Sequence, residues 1–164
     1  MYRPIQIADY LLSKYGREGR ITPQKLIKLV YLAHGWHLAV TDRPLIDENP
    51  EAWKYGPIIP SLYQKYKSYR NTPIPWKGMS VPATDAELEE FLDRIWEVYG
   101  QFDGIQLSAQ THQPDSPWAR VWNGVKSGEY ISLQIPERFI AEHYHYLLAK
   151  NERRARMQEH EEAV

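Results

Sequence analysis

The histidines are the side chains best suited to catalysis or metal binding in this sequence, which contains six of them and no cysteine. His34 and His37 lie three positions apart in an apolar helical segment, a spacing that can bring two imidazoles to one metal ion. No Asp or Glu lies at a suitable step to complete such a site. We therefore expect both imidazoles to be hydrogen-bonded within a helical core, with no bound metal and no cofactor.

A second candidate for chemistry is the stretch LSAQTHQPDSPW, in which Ser108, His112 and Asp115 could form a Ser-His-Asp arrangement. Ser108 and His112 would be neighbours on one helix, with no strained turn to expose the hydroxyl and no oxyanion hole. We expect His112 instead to brace the turn that Pro114 and Pro117 impose. The sequence contains no GxGxxG, Walker, GxSxG or HExxH motif. The chain is therefore predicted not to be an enzyme, and a His-dependent or metal-dependent hydrolase is the weakest alternative.

Charge and hydropathy patterns limit the classes of partner. The formal net charge is −1, so no overall field attracts nucleic acid. The charges are segregated, however: residues 85–103 carry seven carboxylates and one arginine, whereas residues 61–77 carry four cations and no carboxylate. This pattern describes either two solvated faces or a dipole that steers a charged protein partner. No run approaches the ~20 apolar residues of a membrane span, and the N-terminus lacks a signal peptide, so we expect a cytoplasmic protein.

The aromatic segment EAWKYGPIIPSLYQKY could serve as a rigid corner or as a contact surface. Its first part combines a glycine with prolines, which favours a fixed turn that leads into a helix. Its second part interleaves aromatic residues with cations, and rigid aromatic side chains are frequent anchors at protein interfaces. The same pattern can bind nucleic acid, but its charge is modest and we disfavour that function. We predict a partner-binding surface formed by Tyr63, Lys65, Tyr66, Lys67, Tyr69 and Arg70.

The elements that position these residues are predicted to be mostly helical. Apolar residues at steps of three and four predict seven helical segments, which begin near Pro4, Thr22, Pro60, Thr84, Ile105, Ser116 and Pro136. The first is predicted to extend from Pro4 to Tyr15. The second, with Thr22 as its N-terminal cap and Pro23 at its first position, is predicted to be the central buried helix. The segment GEYISLQIP alternates like a short strand, and RPLI and EAWKY could form a hairpin around DENP. We therefore predict a mainly α fold, a compact single-domain bundle of about six to seven helices with a small hairpin or short strands. Residues 151–164 are predicted to be a charged, disordered tail.

Three motifs in order, TPQKLIKLVYLAHGWHLAV, RPLIDENPEAWKYGPIIPSLY and LSAQTHQPDSPW, resemble the Panacea domain. This is the SocA-like antitoxin domain, which also occurs in phage-associated proteins. The resemblance extends from about Ile5 to Trp122, and we assign residues 1–150 to such a domain. The matching motif positions, which we expect to be structural, are Lys25, Tyr31, Trp53, Tyr55, Gly56, Pro57, Pro60, His112, Pro117 and Trp118.

The resemblance implies an antitoxin that neutralises a cognate protein toxin by direct contact. Partners in this family include toxins similar to alarmone synthetases that act on translation, and one branch delivers its toxin to an ATP-dependent protease. Some relatives carry a further DNA-binding segment, which we do not expect here because the tail AKNERRARMQEHEEAV has no helix-turn-helix pattern. The main alternative is a phage-encoded effector or proteolytic adaptor that captures a host protein.

Overall fold

One buried helix, α2 (Pro23–Thr41), organises the fold. Its N-terminus is capped as predicted, because the Thr22 hydroxyl accepts a hydrogen bond from the Lys25 amide (3.2 Å) and Pro23 occupies the first position. Fourteen of its nineteen residues are buried, which confirms the expected central helix. The helix ends at Asp42, whose φ of 57° lies in the left-handed region.

The computed structural model describes residues 1–78 and 85–163, and within them six more α-helices surround α2. They are α1 (Pro4–Tyr15), α3 (Pro60–Tyr66), α4 (Ala86–Tyr99), α5 (Gly104–Thr111), α6 (Pro117–Lys126) and α7 (Glu137–Ala163). The helices α5 and α7 make the most extensive contacts with α2. The predicted fold class is confirmed: the protein is mainly α, with a two-stranded antiparallel sheet.

Side-chain caps explain why several helices begin where the sequence predicts. Ser116 accepts a hydrogen bond from the Ala119 amide (3.1 Å) at the start of α6. Asp103 does the same for Gln106 (2.8 Å) at the start of α5. The predicted cap of α4, Thr84, lies outside the described residues. In the structure Asp85 caps α4 by accepting from the Leu88 amide (2.8 Å).

The hairpin forms at a different place from the one predicted. Strand β1 (Glu51–Trp53) pairs with β2 (Gly56–Ile58) through a two-residue turn, and RPLI takes no part in this sheet. Ile46 instead forms a parallel bridge with Tyr2, next to the start of α1. The physical reason is the backbone of Gly56: its φ of 110° closes the turn, and DENP contains no glycine that could do so.

The predicted strand GEYISLQIP is also wrong as a regular element. Two backbone hydrogen bonds hold it beside β1: the Ala52 amide donates to the Leu133 carbonyl (2.8 Å) and the Ile135 amide to the Pro50 carbonyl (2.8 Å). These contacts produce one isolated bridge, between Glu51 and Gln134. The alternating apolar residues do not share one buried face, since Ile131 is fully exposed and Leu133 is 36% exposed, whereas Ile135 is buried.

Helix α7 continues through the charged tail. The side chains from residue 151 to residue 163 are all exposed, so packing does not stabilise this part of the helix. Intrinsic helix propensity must therefore account for this part of the helix. The boundary at residue 150 and the disorder of the free tail stay predictions.

Among the described residues two buried hydroxyls, those of Ser13 and Tyr31, lack a hydrogen-bond partner, and the second gives a first prediction. The Tyr31 side chain is completely buried, and its hydroxyl has no hydrogen-bond partner among the described residues. Since an unsatisfied buried hydroxyl is unfavourable, Tyr31→Phe should raise the free energy of unfolding by about 1 kcal/mol in urea denaturation. Tyr10→Phe is the matched control: it removes a hydroxyl that donates to Asp93 (2.8 Å) and should destabilise by about 1 kcal/mol. Equal losses in the two variants would contradict this prediction.

Candidate partner-binding site

A wide surface groove lies between α2, the hairpin, α3 and α5, and we call it the hairpin groove. Its volume is about 970 Å³. It is lined by Pro23, Gln24, Ile27, Lys28, Trp53, Lys54, Tyr55, Ile58, Tyr63, Lys67, Arg70, Asn71, Ile105, Ser108, Ala109 and His112. These residues come from three separate segments of the sequence, which only the tertiary fold brings together.

The apolar part of the hairpin groove has a buried floor and an exposed rim. Ile27 and Ile58 form the floor and are 4% and 9% exposed. Three large side chains stand on the rim, each on a different element: Tyr55 on the turn (67% exposed), Tyr63 on α3 (36%) and Ile105 on α5 (75%). Large exposed apolar side chains that converge on one concave surface indicate a binding site.

The charges on the same groove have one sign. Lys54, Lys67 and Arg70 are exposed cations on its rim. Among the described residues that line it, none is an aspartate or a glutamate. The groove therefore combines an apolar floor with an uncompensated positive potential.

The turn beside the hairpin groove is fixed by three side-chain donors from three helices. Trp118 on α6 donates its indole N–H to the Trp53 carbonyl (2.5 Å). The Ser108 hydroxyl on α5 donates to the Tyr55 carbonyl, and Lys28 Nζ on α2 donates to the Pro57 carbonyl (2.7 Å). The carbonyls of Trp53, Tyr55 and Pro57, which alternate along the chain, are thereby hydrogen-bonded although no third strand pairs with them. These three bonds hold the segment WKYGP in the corner between β1 and β2.

Lys28 is the residue of this site that sequence patterns missed. Its side chain is 2% exposed, and burial lowers the pKa of its amine to about 7. The motif position Lys25 has a similar role elsewhere, because its amine donates to the Gly100 carbonyl (2.5 Å) and lies 4.9 Å from the Trp96 ring centroid. The available signal for Lys28 was a lysine within a helix that is apolar on nearly every side.

The two histidines of α2 have separate roles. His34 is buried and its Nδ1 accepts from the amides of Leu45 (3.3 Å) and Ile46 (3.4 Å). Burial is the largest cause that lowers the pKa of His34, to about 4, so its imidazole is neutral. His37 is only partly buried, and its Nδ1 lies 2.6 Å from the Arg43 carbonyl oxygen. No group of three or more potential metal ligands occurs within residues 1–78 and 85–163.

Ser108 and His112 are neighbours on α5, and the Ser108 hydroxyl lies 3.5 Å from His112 Nδ1. Ser108 is buried and its hydroxyl donates to the Tyr55 carbonyl, so no exposed oxygen points toward a substrate. His112 is the C-terminal cap of α5, and its Nδ1 contacts the Ser108 carbonyl. Its ring meets the edge of Trp118, with centroids 5.2 Å apart. His112 therefore connects α5 with α6 across the turn between them.

The six predicted contact residues lie in three places: three line the hairpin groove, two lie on the other side of α3, and one is buried. Tyr63, Lys67 and Arg70 line the hairpin groove. Lys65 and Tyr69 lie on the other side of α3, beside a smaller depression of about 210 Å³.

The expected exposure of Tyr66 is wrong, because Tyr66 is only 6% exposed. It lies one turn after Leu62, and these two residues are the buried face of α3, which contacts α1 and α2. Burial also raises the pKa of Tyr66 to about 12.

Fold and site together define a small helical domain with an apolar, cation-rimmed groove. The sequence pattern described as "Antitoxin SocA-like, Panacea domain" matches residues 26–119, and the chain belongs to this family. The chain is also 29% identical to antitoxin SocA of Caulobacter vibrioides (strain NA1000 / CB15N), over 85% of this chain and 81% of that protein. These similarities support an antitoxin role. No solved structure matches the chain, and no described helix is long and apolar enough to cross a membrane.

Proposed function

We propose that this protein is an antitoxin that neutralises a cognate protein toxin by direct, non-catalytic contact. The observation that carries the proposal is the hairpin groove, a rigid apolar and cationic surface in a domain of the SocA-like antitoxin family. The hydroxyl and imidazole groups near it are used in hydrogen bonds that hold the fold, which supports binding over catalysis. Neutralisation follows if the bound antitoxin covers a surface that the toxin needs for its own activity.

The contact residues that we propose are the side chains of α3 and of the segment after it that line the hairpin groove. Aromatic rings offer a large contact area with few rotatable bonds, and the cations beside them can pair with carboxylates of the toxin. Tyr63 is the best anchor, because its ring already packs at 4.8 Å against Trp53 and loses little freedom on binding. Lys67 and Arg70 are the exposed cations beside Tyr63, whereas Lys65 and the half-buried Tyr69 lie on the other side of α3 and are left out of the proposed contact surface.

The finer identity of the partner follows from the family resemblance. We propose a toxin similar to alarmone synthetases that acts on translation in the cytoplasm. We also propose that the complex can be presented to an ATP-dependent protease, as in the adaptor branch of the family. The proposed contact surface depends neither on the toxin's class nor on its degradation.

Co-expression tests the proposed function. The open reading frame next to this gene should arrest growth when expressed alone, and expression of this chain should restore growth. The two purified proteins should form an equimolar complex by size-exclusion chromatography with light scattering. A neighbouring product that is harmless alone, or that arrests growth equally with and without this chain, would contradict the proposal.

A further inference from the structure

We propose that the hairpin groove receives one segment of the toxin, in which apolar side chains fill the floor and adjacent carboxylates pair with Lys67 and Arg70. This inference rests on the proposed function and identifies the chemistry of the surface that the groove recognises. It also divides α3 and the segment after it into a side that binds, with Tyr63, Lys67 and Arg70, and a side that does not, with Lys65.

The apolar half of the inference follows from the shape and the lining of the groove. The buried floor residues Ile27 and Ile58 have aliphatic faces toward the groove, and Ile105 and Tyr55 extend its walls into solvent. Exposed apolar area of this kind is unfavourable in the free protein and becomes favourable when a partner covers it, at about 25 cal/mol per Å². The occupant must therefore present apolar side chains.

The acidic half of the inference follows from charge complementarity. Lys54, Lys67 and Arg70 surround the groove, and its described lining contains no carboxylate that could neutralise them. The carboxylates of this chain are concentrated elsewhere, with seven in residues 85–103. A partner with Asp or Glu beside its apolar residues is attracted toward the groove and bound in one alignment, whereas a basic partner is repelled.

The backbone of Arg70 supplies an independent observation. Its φ of 54° and ψ of −121° lie outside the regions that residues with a Cβ normally occupy, and glycine would adopt them without strain. Arg70 follows the 3-10 turn Lys67–Tyr69 and lines the groove. Strain of this kind persists at functional sites, where the side chain has a use that offsets its unfavourable backbone.

The groove is also held in one shape before binding. The clamps from Lys28, Ser108 and Trp118 fix the turn that forms one wall. A preformed site loses little conformational entropy when a partner binds, so a short segment is sufficient to occupy it.

Protein chemistry fits this groove better than nucleic acid does. A nucleic-acid strand needs a track of cations along its backbone and aromatic faces on which successive bases stack. Here the floor is aliphatic, and the exposed rings of Tyr55 and Tyr63 stand at the rim together with the cations. An acidic polypeptide segment can fill the floor and pair with the rim, whereas a polynucleotide has no aliphatic group for the floor.

Matched pairs of variants test the inference by calorimetric titration of the full-length chain with the purified product of the adjacent gene. Ile105→Asn and Lys67→Glu should each weaken binding at least about tenfold. The controls are Ile131→Asn, at a fully exposed isoleucine outside the groove, and Lys65→Glu, at an exposed lysine on the other face of α3. Both controls should stay within about twofold of the wild type. Circular dichroism checks that all four variants are folded.

Arg70→Gly should change stability and toxin binding in opposite directions. The variant should have a higher melting temperature, because glycine relieves the backbone strain, and yet bind the toxin at least about tenfold more weakly. A purely structural role for Arg70 would not separate stability from binding in this way. Equal binding by Arg70→Gly and the wild type would overturn the role of this cation.

Two further binding experiments identify the kind of molecule that occupies the groove. Overlapping peptides that span the toxin sequence should show binding by segments with both apolar residues and carboxylates, and Asp→Asn or Glu→Gln peptides should lose it. A fluorescent single-stranded oligonucleotide should not bind; tight binding that Lys67→Glu abolishes would overturn the inference in favour of nucleic acid.

The outcomes separate this inference from the proposed function. A complex that forms normally with Ile105→Asn and Lys67→Glu overturns the inference and leaves the antitoxin function intact. Equal weakening by Lys65→Glu and Lys67→Glu also overturns it, because the contact would then extend around α3. The absence of any complex with the wild-type chain overturns both.

Discussion

Gly35→Ala is expected to lower the free energy of unfolding by about 2 kcal/mol and to loosen the packing of α7 on α2. A Cβ at position 35 would lie 2.5 Å from Cε2 and 2.6 Å from Cδ2 of the Tyr144 ring. Tyr144 is 4% exposed and its ring also meets Tyr31 and Trp36 edge-on, so it has little room to move. Overpacking of this kind costs about 3 kcal/mol, and the better helix propensity of alanine offsets about 1 kcal/mol of it.

A double-mutant cycle with Tyr144→Leu isolates this effect. If crowding against the ring is the cause, Gly35→Ala should be much less destabilising in the Tyr144→Leu background, with a coupling of about 1–3 kcal/mol in urea denaturation. The two changes would add without coupling if Gly35 acted only through its backbone. A Gly35→Ala variant as stable as the wild type would show that α2 and α7 separate at little cost.

The second large effect is the pH dependence that Lys28 contributes to stability. Burial lowers the pKa of its amine to about 7, whereas in the unfolded chain the pKa is near 10.5. Between these values the unfolded state binds more protons than the folded state, so stability rises with pH. From about pH 7 to pH 9 this lysine should add about 2 kcal/mol to the free energy of unfolding.

Lys28→Met should remove this rise, since the variant has no amine to deprotonate. The matched control is Lys54→Met, at an exposed lysine of the same groove, which should keep the rise seen in the wild type. Urea denaturation at the two pH values measures the difference. A rise that persists in Lys28→Met would assign the proton to another group and would place the Lys28 ammonium in contact with water.

Helix positions were the part of the fold that local sequence specified best. Pro4–Tyr15 was predicted with the bounds that the structure has, and α2, α3 and α6 begin at the expected prolines. The reason is that caps and initial prolines act within one turn of the helix they start. The alternating segment after Gly128 was misassigned, because a strand also needs a neighbour and a buried face, which a single sequence does not reveal.

The hairpin shows which features the local sequence specifies and which depend on the tertiary structure. A glycine in an aromatic, proline-rich stretch indicated a corner near residue 56, and the structure has its turn there. The partner strand was misplaced, because pairing depends on which carbonyls find donors. In the folded protein those donors are Trp118, Ser108 and Lys28, on three helices distant in sequence.

Sequence alone determined that this chain is a helical domain of the SocA-like antitoxin family without a recognisable catalytic motif, because helix caps, apolar periodicity and motif order are local properties. It also indicated that α3 carries exposed aromatic residues and cations. Tertiary structure alone decided which of them share a surface: it buried Tyr66, turned Lys65 away and placed Tyr63, Lys67 and Arg70 beside Ile27 and Ile105. The physical reason is that a groove is a property of the packing between helices, and packing joins residues whose separation along the chain no local pattern encodes.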